Sequence, residues 1–337
     1  MDYNLIVRYA LEREPSGRFV LRALITGIGG FVGYHLAEYL LEHTDLEIWG
    51  LDLAEGRVAP LRPRITLRIG DILLDQPKLQ DLFRQCCPDL VFHLAAQAFV
   101  PASWADPWHT LENNIRGQLN VLVAAAQQAT KPAVLVVGSA DEYGLIPTDE
   151  LPVRETNLLR PNSPYAVSKV AQDMLGYQYF ASHNLPVVRV RPFNHIGPGQ
   201  APSFVTADFA RQIAEAEAGL RPPILSVGNL DARRDFSDVR DIVRGYYMAI
   251  TQGKPGEVYN LGSERSHSIR EVLDILLSVS TTHVSVQQDK SRLRPSDVPE
   301  VVSDCSKFRE LTGWTVQIPF ERTLSDILDY WRAQVRH

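Results

Sequence analysis

The chain is poor in the features that would tie it to a secretory compartment, a membrane or a nucleic acid. Its 337 residues hold three cysteines, Cys86, Cys87 and Cys305. They form no CxxC pair and cannot all be bridged within one chain, which fits a reducing compartment in which they are ordinary buried thiols. No apolar run reaches the roughly 18 residues that cross a bilayer. The opening stretch MDYNLIVRYALEREPSGRFV carries charges throughout and does not read as a secretory signal, so a cytoplasmic protein without membrane contact is expected. An excess of one charge is lacking too. The 34 Lys and Arg against 40 Asp and Glu leave a net charge of −6, which argues against a nucleic-acid partner and for a small molecule. There are no repeats and no low-complexity tract, and no metal site is expected.

What is present in quantity is apolar sequence, 45% of residues, enough at this length for one large or two closely joined domains. From Leu21 onward short apolar runs recur: LRALITG, LEIWGLD, ITLRIGD, DLVFHLAA, AVLVVGS and LPVVRVRP. Segments of helical spacing such as FVGYHLAEYLLEH lie between several of them. Near-continuous apolar strands alternating with amphipathic helices predict a parallel sheet covered on both faces. The fold class is therefore α/β, a parallel sheet covered on both faces with a smaller, loop-rich C-terminal lobe. After Pro192 the runs shorten and loops such as NHIGPGQAPS become rich in Gly, Pro and polar residues. The expected boundaries are 21–192 plus about 236–263 for the first lobe, with DIVRGYYMAI and EVYNLGS returning to it. The second lobe takes 193–235 plus 264–335. Residues 1–20 are an extension with no assigned role.

TGIGGFVG places Gly27, Gly30 and Gly33 directly after the first strand and at the start of the first helix. Glycines there allow a sharp turn and a close approach to a pyrophosphate, whose charge meets the free amides and positive dipole of the helix end. The next strand ends in GLDL, with Asp52 19 residues beyond Gly33, where a carboxylate can accept bonds from both adenosine ribose hydroxyls. An acid at this place repels a 2′-phosphate, and Leu53 and Ala54 supply no arginine for one. NAD(H) is therefore favoured, with NADP(H) as the alternative. Asp71, in IGDI, either reaches the adenine amino group or caps its own turn.

Of 12 tyrosines only Tyr165, in SPYAVSK, has a lysine four residues on. On a helix Tyr165 and Lys169 share a face one turn apart, and a neighbouring ammonium favours the phenolate and lowers a phenol pKa from near 10.

TGIGGFVG, GSADEYG and YAVSK, in this order and spacing, resemble the extended short-chain dehydrogenase/reductase family, nucleotide-sugar branch, over residues 21 to about 320. The resemblance implies a Rossmann doubly wound parallel sheet, a Ser/Thr–Tyr–Lys triad and a smaller C-terminal α/β substrate-binding lobe that holds a nucleoside diphosphate sugar. Carried onto this sequence, Tyr165 exchanges a proton with the sugar oxygen and Ser139 hydrogen-bonds the same oxygen. Lys169 holds the nicotinamide ribose and tunes Tyr165. The implied cofactor lining is Gly27, Gly30, Phe31, Val32, Gly33, Asp52, Asp71, Ile72, Leu94, Ala95 and Ala96, with Tyr165 and Lys169. A homodimer is also implied, a four-helix bundle from the helices around 112–129 and 164–183, where Ala124, Ala125, Ala126 and Ala171 suggest small faces for close approach. RPFNHIGPGQ, GNLDARRDFSDVRD and RPSDVP are similar to the GDP-mannose 4,6-dehydratases and the companion GDP-4-keto-6-deoxymannose reductases.

The second lobe makes sense as a diphosphate site. Arg234 and Arg294 can fork onto phosphate oxygens and Asn194 can donate an amide; the bland alternative for Arg234 is an ion pair with Asp235 or Asp238. Asp297 and Ser103 are further substrate contacts to consider. His195 reads as a loop hydrogen-bonder and His93 as a satisfied core residue.

GSADEYG, residues 138–144, separates the two activities. Loss of a sugar hydroxyl calls for a placed acid and base, and the resembling dehydratases carry Ser/Thr, then Asp or Ser, then Glu, one residue, then YG. Aligned on YG, this chain has Ser139, Ala140, Asp141, Glu142. The second position is apolar, the third holds a shorter acid, and Glu142 is one residue out of register, where neighbours near a strand end point to opposite sides. AQAFVPASW continues the trend, with Ala98 and Phe99 where a polar Ser-His is usual. The expectation is an NAD(P)H-dependent reductase acting on a GDP-sugar, with Ser139, Tyr165, Lys169 and Asp141 as its catalytic set. The alternative is the GDP-mannose 4,6-dehydratase. Less favoured are another nucleotide-sugar lyase or epimerase and a non-catalytic dinucleotide sensor, which would need no Tyr–Lys pair.

Overall fold

Every short apolar run named above becomes a strand of one sheet, most of them buried on both faces, while ITLRIGD at the sheet edge buries Leu67 and leaves Ile69 exposed. The structure, a computed structural model, describes residues 20–73, 76–289 and 299–336. The N-terminal extension up to residue 19, and with it almost all of 1–20, lies outside the described residues, as do Arg294 and Asp297.

The strands are β1 (Arg22–Thr26), β2 (Glu47–Asp52), β3 (Ile65–Ile69), β4 (Leu90–His93), β5 (Ala133–Val137), β6 (Val187–Pro192), β7 (Asn194–Ile196), β8 (Ile224–Val227), β9 (Arg233–Asp238), β10 (Val258–Leu261), β11 (Ser266–Ser268) and β12 (Ser285–Gln288). Seven of them form one sheet in the order β10-β6-β5-β4-β1-β2-β3, with every pairing parallel. Helices cover both faces, as a parallel sheet requires. Phe31–His43 and Val239–Gln252 pack on one side with Leu36, Leu40, Ile242 and Tyr246. Gln76–Cys86 and Gly117–Ala126 pack on the other with Phe83, Val121 and Leu122. The strand order reverses between β1 and β4, the switch point at which such sheets bind ligands beyond their carboxyl ends.

Two small sheets, β11-β9-β7 and β12-β8, form the second lobe with the helices Val205–Glu217, Ile269–Ser278 and Phe320–Gln334. Their own core holds Phe209, Ile213, Val272, Leu276 and Leu324. After passing through β7 to β9 the chain returns to the large sheet, where β10 pairs with β6 at the edge.

Two expectations need correction. Ala124 and Ala125 are fully buried among Leu79, Phe83 and Val134, so their small faces serve the chain's own core. The outward faces of these helices carry Leu119, Val167, Met174 and Tyr177, with Trp104 and Trp108 just upstream. Cys87 is exposed, not buried. It takes φ 45° just beyond the helix Gln76–Cys86 and turns its thiol to the Arg84 carbonyl, 3.1 Å away.

Candidate active site

The carboxyl ends of β1, β2, β4 and β5 converge on one cleft. At β1 the chain turns through Gly27 (φ 74°), where an added Cβ would lie 2.7 Å from the Ala95 amide nitrogen after β4. A Cβ on Gly33 would lie 2.1 Å from the Gly27 carbonyl oxygen. The helix Phe31–His43 begins at Gly30 with no side-chain cap and no acid in its first turn, so its free amides and dipole are left for an anion. Asp52 closes the loop from the other side. Its Oδ2 accepts the Gly29 amide and its Oδ1 the Leu53 amide, both at 2.7 Å. A glycine cradle, an unfilled helix start and a half-buried carboxylate at the end of β2 fit a dinucleotide.

The other expected lining residues divide. Phe31, Val32, Leu94, Ala95 and Ala96 are only partly buried around the glycine loop. Asp71 takes the capping role, its Oδ1 accepting the Leu73 amide at 2.7 Å. Ile72 is largely committed to the core, and a Cβ on Gly117 would stand 2.7 Å from its Cδ1.

At β5 the chain makes a one-turn 3-10 helix, Ala140–Tyr143, closed by a capping box: Ser139 Oγ accepts the Asp141 amide at 3.1 Å and Glu142 Oε1 accepts the Ser139 amide at 2.8 Å. The two neighbouring acids thereby part company. Asp141 is exposed at the cleft, whereas Glu142 is fully buried, its Oε2 3.0 Å from Arg191 Nε.

Tyr165 and Lys169 stand one turn apart at the start of the helix Pro164–His183, whose N-cap Ser163 accepts the Ala166 amide at 3.1 Å. The Tyr165 hydroxyl is hydrogen-bonded to Ser139. Contrary to the expectation of a lowered phenol, burial raises Tyr165 well above its ordinary value; the Asp141 charge adds to this and the Ser139 bond opposes it. Lys169 does not relieve it. Its Nζ donates to the Val137 carbonyl at 2.9 Å and lies 5.9 Å from the Tyr165 ring centroid, and burial lowers its own pKa to about 8. The phenol thus keeps its proton, the form that can protonate a developing alkoxide.

Sequence reasoning missed the support beneath this pair. Fully buried Asn114 lies in a π-helical turn, Glu112–Arg116, a distortion often found at functional sites. Its Oδ1 accepts the Gln97 amide at 2.8 Å, and its Nδ2 donates to the Gln97 carbonyl at 3.1 Å and to Ser168 Oγ at 2.9 Å. Ser168 in turn donates to the Tyr165 carbonyl at 2.6 Å. The only signal in sequence was a polar residue where helical spacing calls for an apolar one.

The remaining sites are mixed. Exposed Asn194 opens β7, and His195 Nδ1 meets the Phe193 carbonyl at 3.0 Å. Arg234 lies on β9, where its Nη1 donates to the Arg233 carbonyl at 2.8 Å. The acids proposed as its bland partners are engaged elsewhere, Asp235 with Ser263 and Ser303, and Asp238 with Arg240 and Thr323. Ser103 is a correction: fully buried, it donates to the Val100 carbonyl at 2.7 Å and presents no hydroxyl to the cleft. His93 is satisfied only in part. Its Nδ1 pairs with Thr26 Oγ1 at 2.7 Å, its Nε2 is buried with no partner among the described residues, and burial lowers it to about 3, so it is neutral.

Residues 24–327 match a family model described as GDP-mannose 4,6 dehydratase. The chain is 37% identical over 316 residues to the GDP-6-deoxy-D-mannose reductase of Pseudomonas aeruginosa, covering 94% of this chain and 98% of that one. It is 30% identical over 328 residues to GDP-mannose 4,6 dehydratase 1 of Arabidopsis thaliana, covering 91% and 88%. Among solved structures, RMD of Pseudomonas aeruginosa complexed with NADPH superposes with a TM-score of 0.83 at 35% identity, covering 94% of this chain and all of that one. The UDP-glucose 4-epimerase of Thermus thermophilus, in complex with NAD, gives 0.83 at 30%, covering 93% and 99%.

Proposed function

Since the chain belongs to the GDP-mannose 4,6-dehydratase family, within the extended short-chain dehydrogenase/reductases, we propose that it reduces the 4-keto group of GDP-4-keto-6-deoxy-D-mannose to a GDP-6-deoxyhexose of the GDP-rhamnose type. The observation that carries the reductive direction is the parting of Asp141 from Glu142. The buried acid is bound to Ser139 and Arg191, which leaves Asp141 as the acid of this turn that faces the cleft. Elimination of water needs an acid and a base at carbons 5 and 6 of the sugar; reduction of a ketone needs one proton.

Gly27, Gly30, Gly33 and Asp52 would hold the nicotinamide dinucleotide, with Lys169 on its ribose. When bound, that cofactor supplies the hydride. Tyr165 donates its proton to the oxygen at carbon 4, and Ser139 orients the same oxygen. Asn194 and Arg234 serve the diphosphate of the substrate.

The test is a pair of incubations. The keto sugar with excess NADH should lower absorbance at 340 nm in step with product, and GDP-mannose alone should react slowly or not at all. Asp141→Asn should keep keto-sugar reduction within about tenfold of wild type, because it alters polarity near the site and removes no needed step. Rapid formation of the 4-keto sugar from GDP-mannose without added NADH, abolished by Asp141→Asn, would establish the dehydratase instead.

Asp52 makes NADH the expected reductant. A higher kcat/KM with NADPH, little changed in Asp52→Ala, would overturn that preference.

We also propose a cytoplasmic homodimer. The apolar strip of Leu119, Val167, Met174 and Tyr177, continued by Trp104 and Trp108, supplies a face suited to a second copy. Sedimentation at micromolar concentration should give twice the chain mass for wild type, and a wild-type monomer would count against the dimer.

A further inference from the structure

An aromatic contact joins the segment that follows β4 to the second lobe. Phe99 follows β4, and Phe204 precedes the helix Val205–Glu217 of the second lobe. Their rings meet edge to face, with centroids 6.0 Å apart and planes at 71°, and both side chains are half-buried.

Hydrogen bonds hold the segment that carries each ring. The Phe99 carbonyl accepts from Gln97 Nε2 at 3.1 Å and from the Ala102 amide at 3.0 Å. Gln97 is held through Asn114 and Ser168 to the turn that carries Tyr165. On the other side Gln200, four residues before Phe204, donates to the His195 carbonyl at 3.0 Å, beside Asn194. The ring pair therefore spans from the proton donor's support to the loop that bears Asn194.

We propose that Phe99 and Phe204 form an apolar wall that selects a methyl over a hydroxymethyl group at carbon 6 of the bound sugar. The inference rests on the reductase reading, in which the substrate has already lost its 6-hydroxyl. A hydroxyl pressed against two phenyl faces gives up its hydrogen bonds to water without replacement, and an apolar pocket rejects an added hydroxyl by up to roughly 100-fold. A methyl group there gains burial. The wall thus disfavours a hydroxymethyl sugar at the site.

GDP-6-deoxy-D-mannose and GDP-mannose differ only in that oxygen, which makes them the probes. In calorimetric titration of the full chain, the 6-deoxy sugar should bind about 10- to 100-fold tighter than GDP-mannose. Phe99→Ser and Phe204→Ser should each bring the ratio to within about threefold, with the affinity for GDP itself changed less than about twofold, and Phe99→Leu should restore the ratio. A wild-type ratio near one, or an unchanged ratio in both serine variants, would overturn the wall. If a serine variant loses GDP binding as well, Phe99→Leu against Phe99→Ala decides: equal ratios overturn the proposal. NADH oxidation with the keto sugar, measured on the same wild-type preparation, tests the reductase reading separately. Reduction with a ratio of one removes the wall alone, and no reduction removes the reading beneath it.

Discussion

Tyr165→Phe is expected to bind cofactor and nucleotide sugar much as wild type does and to turn over about 10²- to 10⁴-fold more slowly, the range typical of a positioned proton donor. The ring stays packed at the head of its helix, and only the hydroxyl, with its bond to Ser139, is removed. Lys169 cannot substitute, since its ammonium is directed to the Val137 carbonyl. Because the loss falls on the step in which the alkoxide forms, kcat and kcat/KM should drop together. Retention of more than a tenth of the wild-type rate in single-turnover measurements would take Tyr165 out of the mechanism.

Asp173→Ala should cost about 3–5 kcal/mol of stability, the usual result of removing one partner from a buried ion pair. Asp173 sits 2.5 Å from Arg189 Nη1 and 2.6 Å from Arg191 Nη2 in a region almost without solvent. Burial works against its charge, yet Arg191 and Arg189 hold its pKa below the ordinary value; burial and then the charge of Asp173 push Glu142 well above its own. Two guanidiniums are thus balanced chiefly by Asp173, and alanine takes the carboxylate from Arg189 and leaves Arg191 to Glu142. Thermal and urea unfolding should both register the loss. A melting temperature unchanged within a degree would refute it. Because Glu142 also accepts the Ser139 amide, the folded fraction should reduce the keto sugar more slowly than wild type.

These two residues also mark how far the sequence could be read. Tyr165 and Lys169 are legible because both belong to one helical turn, and β1, β2, β4, β5 and β6 are legible because a strand buried on both faces needs a continuous apolar run. The opposed directions of Asp141 and Glu142 are expected from strand alternation, but they arise from the 3-10 turn and its capping box, which draws Glu142 inward. Asp173, Arg189 and Arg191 could not be paired in advance, because charges on separate helices and strands find each other only through tertiary packing. The same holds for Tyr143 and Asn260, which are 117 residues apart and bonded at 2.7 Å. Burial decided the remaining errors. A run of alanines shows that a helix face is small without showing which way it looks, and a lysine four residues from a tyrosine does not show which of them is desolvated more. Ser103 follows the same rule, since a serine near a cleft can be spent on its own helix.

The return of the chain to β10 bears on how the protein is made. β6 acquires its outer neighbour only when residues 258–261 emerge from the ribosome, some 66 residues after β6 itself is complete at Pro192. Until then the strand VVRVRP offers an unpaired parallel edge with three valines, the kind of template on which nascent chains associate. A fragment ending near residue 192 would hold that edge open permanently. The second lobe cannot therefore be exchanged as one contiguous piece, since β10, the strand that seals the first lobe, is encoded between the part of the second lobe that holds β7 to β9 and the part that holds β11, β12 and the last helix.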